Sequence, residues 1–109
     1  MRMDLKQMSE LLGYTLEHEN QEIKNLVYDS RQVTKGSVFF AIKGQDSDGH
    51  QYIEDAVRNG AIAVVGEESL NPACLYFEVF NTKKALAIIS SKFYGEPSKN
   101  MNLVGVIGT

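Results

Sequence analysis

The chain is poor in the features that most readily mark a function. It has one cysteine, Cys74, which excludes an internal disulfide and a cysteine-based zinc site. No cluster of basic residues exceeds the pair Lys83-Lys84 and the net charge is -3, so a nucleic-acid-binding face has nothing to build on. No apolar run approaches the ~20 residues that a membrane-spanning helix needs. The start, Met1-Arg2-Met3-Asp4, leads into a charged amphipathic segment and not into a signal peptide. Repeats and low-complexity tracts are also missing. These absences predict a soluble, cytoplasmic domain without nucleic-acid or membrane partners.

What is there suffices for a folded domain. The 109 residues are 43% hydrophobic, enough to bury about two-thirds of the unfolded chain's surface. The pattern along the chain alternates between helical and strand periods. Asp4 and Gln7 have the spacing of a capping box before Leu5, Met8, Leu11 and Leu12 on one helical face, with Gly13 as the stop. Ile23, Leu26 and Val27 predict a short strand that ends in Asp29-Ser30-Arg31. Val38-Phe39-Phe40-Ala41-Ile42 reads as a strand buried on both faces. Tyr52, Ile53, Ala56 and Val57 recur at helical spacing up to Asn59-Gly60, and residues 61–66 form another buried strand.

Residues 75–80 predict a further strand, and Thr82 is placed to cap a helix with Ala85, Leu86, Ile88, Ile89 and Phe93 on its apolar face. Gly95-Glu96-Pro97-Ser98 breaks that helix, and a last strand starts at Leu103. The fold class expected is α/β, a small mixed sheet with helices packed on it. Phe39, Phe40, Tyr76, Phe77, Phe80 and Phe93 are assigned to the core, Cys74 to a small core position, and His18 and the Glu67-Glu68 pair to solvated loops.

Chemistry-bearing side chains gather in two loops beside the central strand. At Asp29-Ser30-Arg31 a hydroxyl and free backbone N–H groups stand at a strand end, where open α/β sheets take ligands. The same triplet also reads as a plain turn in which Asp29 bonds its own backbone and Arg31. The second loop, Gly44-Gln45-Asp46-Ser47-Asp48-Gly49-His50, ends before a helix whose first N–H groups could face an anion. His50 is there either a ring donor to a ligand or a side chain capping the turn. No Glu closes a calcium loop at the required spacing. No nucleophile has a base within sequence reach, so no catalytic or metal-binding residue is assigned. The terminal apolar run into Gly108-Thr109 reads either as an ordinary strand and turn or as the start of a phosphate-cradling loop.

Together these pieces resemble a known family. Tyr28-Asp29-Ser30-Arg31-Gln32-Val33, then Gly36-Ser37-Val38-Phe39-Phe40-Ala41-Ile42-Lys43-Gly44, then Asp48-Gly49-His50-Gln51-Tyr52-Ile53, then Ala56 with Gly60-Ala61, are similar to the N-terminal domain of the Mur ligases. Phe93-Tyr94-Gly95-Glu96-Pro97-Ser98 and the run from Leu103 to Gly108-Thr109 resemble the junction to that family's ATP-binding domain, and the MurE type matches best.

The resemblance implies residues 1–98 as a UDP-substrate-recognition domain and 99–109 as a linker with the first strand of an ATP-binding domain. It implies a parent ligase that uses ATP and magnesium to add a diamino acid to a UDP-linked muramoyl dipeptide, and a fragment that is inactive alone and holds no cofactor. The implied substrate contacts fall on Tyr28, Ser30, Gln45, Asp46 and Ser47, and His50 joins them. Gly108 and Thr109 match the first two positions of the ATP loop. Two alternatives stand beside this reading: the corresponding domain of a MurF-type ligase, and a free-standing interaction module that self-associates through an exposed strand at residues 103–107.

Overall fold

Residues 38–41 form the centre of the molecule, and the rest is arranged around them. The computed structural model describes residues 3–17, 19–44 and 47–94. Its elements are α1 (Leu5–Leu11), β1 (Asn25–Val27), β2 (Ser37–Phe40), α2 (Ile53–Asn59), β3 (Ala63–Gly66), β4 (Leu75–Glu78) and α3 (Thr82–Phe93). This is the order expected from the sequence. The strand expected at Leu103, the linker and the Gly108-Thr109 turn lie outside the described residues, as do His18, Gln45 and Asp46.

The four strands form one sheet in the order β1-β2-β3-β4. All three pairings are parallel, with Leu26 beside Val38, Phe39 beside Val64 and Val64 beside Tyr76. The α/β class stands, but the sheet is parallel throughout its described strands and not mixed as expected. Antiparallel pairing among the described residues is confined to single bridges between Asp4 and Glu22 and between Lys43 and Asp48. Only the crossover from β2 to β3 carries an α-helix, α2. The return from β1 to β2 uses residues 28–36 with the 3-10 turn Ser30–Gln32, and residues 67–74 return β3 to β4.

Strand side chains alternate between two cores, as a period of two requires. Val38, Phe40, Ala63, Val65 and Phe77 face α1 and α3, where they meet Leu5, Met8, Ala85, Ile89 and Phe93. Phe39, Ala41 and Val64 face the other way, onto Ile53 and Ala56 of α2. Phe39 and Phe40 are 1% and 0% exposed, and burial on that scale contributes about 2–3 kcal/mol for each ring. Among the described residues no helix is long and apolar enough to cross a membrane.

Helix ends and faces follow local rules, with four departures from expectation. The Asp4 box forms in full: Gln7 N–H donates to Asp4 Oδ1 at 2.9 Å and Asp4 N–H to Gln7 Oε1 at 3.1 Å. Gly60 ends α2 at φ +119°, and a Cβ there would stand 2.8 Å from the backbone of Lys35, so this turn requires glycine. Thr82 does not cap α3. Asn81 is the extended residue whose side chain accepts Lys84 N–H at 3.1 Å, while Thr82 is the first helical residue and fully buried.

Phe80 is fully exposed, because β4 ends at Glu78 and strand alternation no longer directs its ring. Leu11 and Ile88 are also exposed. At ~100° per residue each stands about a third of a turn from the buried stripe of its helix. On α1, Ser9 is buried in place of Leu11.

Candidate functional site: a cleft at the ends of β1 and β2

β1 delivers Tyr28 and Asp29 to the carboxyl edge of the sheet. Asp29 is extended and caps the 3-10 turn, accepting Arg31 N–H at 3.0 Å. The Arg31 guanidinium closes back on the same carboxylate through Nε at 3.1 Å and Nη2 at 2.9 Å. That guanidinium, with the Arg31 N–H, holds the Asp29 carboxyl below its ordinary range. The self-bonded turn read from the sequence is therefore real. It leaves the middle residue available: Ser30 is anchored by its carbonyl, which accepts Asn59 Nδ2–H at 3.1 Å. Its hydroxyl takes no hydrogen bond among the described residues.

β2 supplies the opposite wall by folding its following loop back on itself. Gly44 N–H donates to the Ser47 carbonyl at 2.7 Å, and Gly49 N–H to the Ile42 carbonyl at 2.9 Å. Gly49 is held against this backbone so tightly that a Cβ would stand 2.7 Å from Ile42 N and 3.0 Å from Ala41 Cα. Only glycine lets the loop close this far.

Between the walls lies a cleft of about 670 Å³. Tyr28, Asp29, Ser30 and Arg31 line one side, Gly44, Ser47 and Gly49 the other, with Phe39 and Ile42 beneath, Tyr52 from just before α2 and Asp55 from its first turn. The two carboxylates that line it among the described residues already have a guanidinium partner, Asp29 with Arg31 and Asp55 with Arg58, each at 2.9 Å. Tyr28 and Tyr52 are 66% and 41% exposed. Aromatic surface, free hydroxyl groups and self-neutralised charge suit a flat polar ring and a sugar. Among the described residues the cleft assembles no nucleophile with a base and its orienter.

Of the residues predicted from the sequence, the structure brings Tyr28, Ser30 and Ser47 together in this cleft. His50 is not among its lining residues. It is buried, its Nδ1 lies 2.6 Å from Asp48 Oδ1, and its Nε2 accepts Glu67 N–H at 2.8 Å. The first two N–H groups of its 3-10 turn, Gly49–Tyr52, are likewise taken, Gly49 by the Ile42 carbonyl and His50 by Asp48. Asp48, His50 and Glu68 bring ligand atoms within 4.8 Å of one another, but both imidazole nitrogens are already engaged and no lone pair is left for a cation.

Tyr52 and Asp55 line the cleft and were not anticipated. Tyr52 reads in the sequence as the first residue of a helix face, and only its exposure reveals it. Glu67 and Glu68 are not the solvated pair expected. The Glu67 carboxylate accepts Thr82 N–H at 2.8 Å, and the Glu68 carbonyl accepts the Tyr76 hydroxyl. Tyr76 is half-buried and its hydroxyl is pushed up to about 12 by burial. Cys74 is also only partly buried, and desolvation raises its thiol to about 11, which makes it a poor nucleophile.

A parallel α/β sheet with an open cleft at the carboxyl ends of its strands is the arrangement in which such sheets take ligands. The profile of the Mur ligase family, catalytic domain, matches residues 22–94, and the chain belongs to that family. It is 44% identical over 103 residues to the UDP-N-acetylmuramoyl-L-alanyl-D-glutamate--2,6-diaminopimelate ligase of Halalkalibacterium halodurans, covering 94% of this chain and 21% of the relative. The ligase of the same name from Clostridioides difficile is 46% identical over 91 residues, covering 83% of this chain and 19% of the relative. The chain thus spans about a fifth of the length of the curated relatives it matches.

Among solved structures, MurF from Acinetobacter baumannii superposes with a TM-score of 0.71 over 84% of this chain and 21% of its own, at 23% identity. That likeness speaks for the fold. MurF ligase from Thermotoga maritima, in complex with ADP, gives 0.58 at 35% identity over 62% of this chain and 16% of its own.

Proposed function

We propose that this chain forms the part of a UDP-N-acetylmuramoyl-L-alanyl-D-glutamate--2,6-diaminopimelate ligase that grips the uridine end of the nucleotide-linked substrate. Residues 1–98 form the recognition unit, and 99–109 lead toward an ATP-binding unit. The complete ligase works in the cytoplasm and joins a diamino acid to the D-glutamate of the muramoyl dipeptide during peptidoglycan synthesis. ATP and magnesium are bound outside the described residues, and no step of the ligation is carried by this cleft. The observation that carries the reading is the meeting of Tyr28, Ser30 and Ser47 in one cleft, in a chain of the Mur ligase family.

In this cleft Tyr28 and Tyr52 offer ring surface to the uracil, and the Ser30 and Ser47 hydroxyls bond the base or ribose. Gln45 and Asp46 complete the loop contact, and Asp46 meets the ribose or uracil, since its charge disfavours the diphosphate. His50 acts behind the loop. The 2,6-diaminopimelate ligase is favoured over a MurF type because its relatives match at higher identity.

Isolated from the rest of the enzyme, the cleft keeps one end of a long ligand, so UDP binds with a Kd around millimolar, about 4 kcal/mol. A 1H–15N NMR titration with UDP reads this directly. The Tyr28, Ser30, Ser47 and Gly49 amides move while those of α1 stay. Unmoved cleft amides at several millimolar UDP would overturn the reading.

A further inference from the structure

Behind the cleft wall lies a closed polar chain that begins at Asp48 and ends at the first turn of α3. His50, whose side chain is 3% exposed, is its middle. Asp48 Oδ1 receives both the His50 N–H at 3.0 Å and the ring at Nδ1. On the far side Nε2 accepts Glu67 N–H, so Nε2 carries the lone pair and Nδ1 the proton. Glu67 directly follows β3, and its carboxylate holds the Thr82 N–H that opens α3. Gly66 leaves room for the ring: a Cβ there would stand 3.0 Å from His50 Nε2.

We propose that His50 is a positioning residue for the cleft. Its neutral Nδ1–H form clasps the loop carrying Ser47 and Gly49 to the end of β3, and through Glu67 to the start of α3. Among the described residues the loop's other ties are its own turn at Gly44 and Ser47, the Gly49 bond to Ile42 and an exposed Lys43–Glu68 ion pair at 3.9 Å. The ion pair is worth little in solvent, so the buried clasp sets where the Ser47 wall stands relative to Ser30. The uridine-binding consequence rests on the reading above, but the clasp does not.

The test joins two measurements on the same chain. Long-range 1H–15N spectra of the unliganded protein report the imidazole tautomer without any variant, and they are expected to show Nδ1 protonated and Nε2 bare. The opposite tautomer, or rapid exchange between the two, would overturn the clasp. His50→Ala and His50→Gln are then compared, since the Gln amide oxygen can still accept Glu67 N–H. In unliganded His50→Ala the Ser47, Gly49, Glu67 and Thr82 amides shift, the Glu67 amide exchanges faster, and Kd for UDP rises about tenfold. His50→Gln restores Glu67 protection and most of the affinity.

Unshifted Ser47 and Gly49 amides in a folded His50→Ala protein would defeat the positioning role. If wild-type protein ignores UDP while the tautomer and amide shifts are as described, the uridine reading fails and the clasp stands.

Discussion

Two regions at the carboxyl edge of one sheet make opposite use of similar residues. At the ends of β1 and β2 the polar groups surround open space: Ser30 and Ser47 line a cleft of about 670 Å³, and the acidic groups are neutralised by exposed arginines beside them. At the end of β3 they are turned on one another. His50, Glu67, Tyr76 and the Thr82 N–H bond within the fold, where protein partners have replaced water, although the buried Thr82 hydroxyl has no partner among the described residues. Polar residues at a strand end are therefore no sign of a site. What marks the site is polar groups left unpaired beside exposed aromatic surface.

The contrast predicts that clasp substitutions act on stability and cleft substitutions on binding. The largest effect should come where the two regions meet. Gly49→Ala forces backbone against backbone at Ile42 and should lower stability by about 3 kcal/mol, with the UDP response lost. A urea-unfolding midpoint equal to that of the parent would break the account of how the loop closes. Glu67→Ala removes the acceptor of Thr82 N–H but keeps its own N–H for His50. It should cost about 1–2 kcal/mol, while the UDP Kd, read by NMR, changes less than twofold.

On the cleft side, Ser30→Ala should leave the melting temperature where it is and weaken UDP about fivefold, close to 1 kcal/mol. Loss of stability with unchanged affinity would reverse the comparison at that residue. The smallest effect is in the pH response. Asp48 is held below its ordinary value, first by the His50 backbone N–H. A carboxylate depressed in the folded state adds stability that is present above its unfolded value and lost as pH falls through its folded one. Urea midpoints taken from about pH 6 down to 3 should therefore fall less steeply in Asp48→Asn than in the parent. Asp29→Asn should flatten the same limb by less, because its partner Arg31 is in solvent.

Much of the fold could be read from the chain because its determinants are local. The Asp4 box spans three residues, α2 stops at a glycine, and the alternation in β2 gives both cores. On the site side, the turn that carries Ser30 could be read because Asp29 and Arg31 close it within two residues, whereas Tyr28 was pointed to only by the family resemblance. The misread residues depend on distant partners. Glu67 bonds Thr82, 15 residues on, and His50, 17 residues back, and no window of sequence contains those pairs. Tyr52 has the spacing of a core position, and Phe80 that of a strand that ends two residues too early to bury it.

The sequence alone determined the order of helices and strands, the buried central strand and the two loops where chemistry could gather, because periodicity, capping and turn formation act over a few residues. Tertiary structure alone decided that all four strands run parallel, that Ser47 stands across a cleft from Ser30, and that His50 faces inward. Those outcomes depend on which groups, far apart in the chain, arrive within hydrogen-bonding distance once both cores have closed.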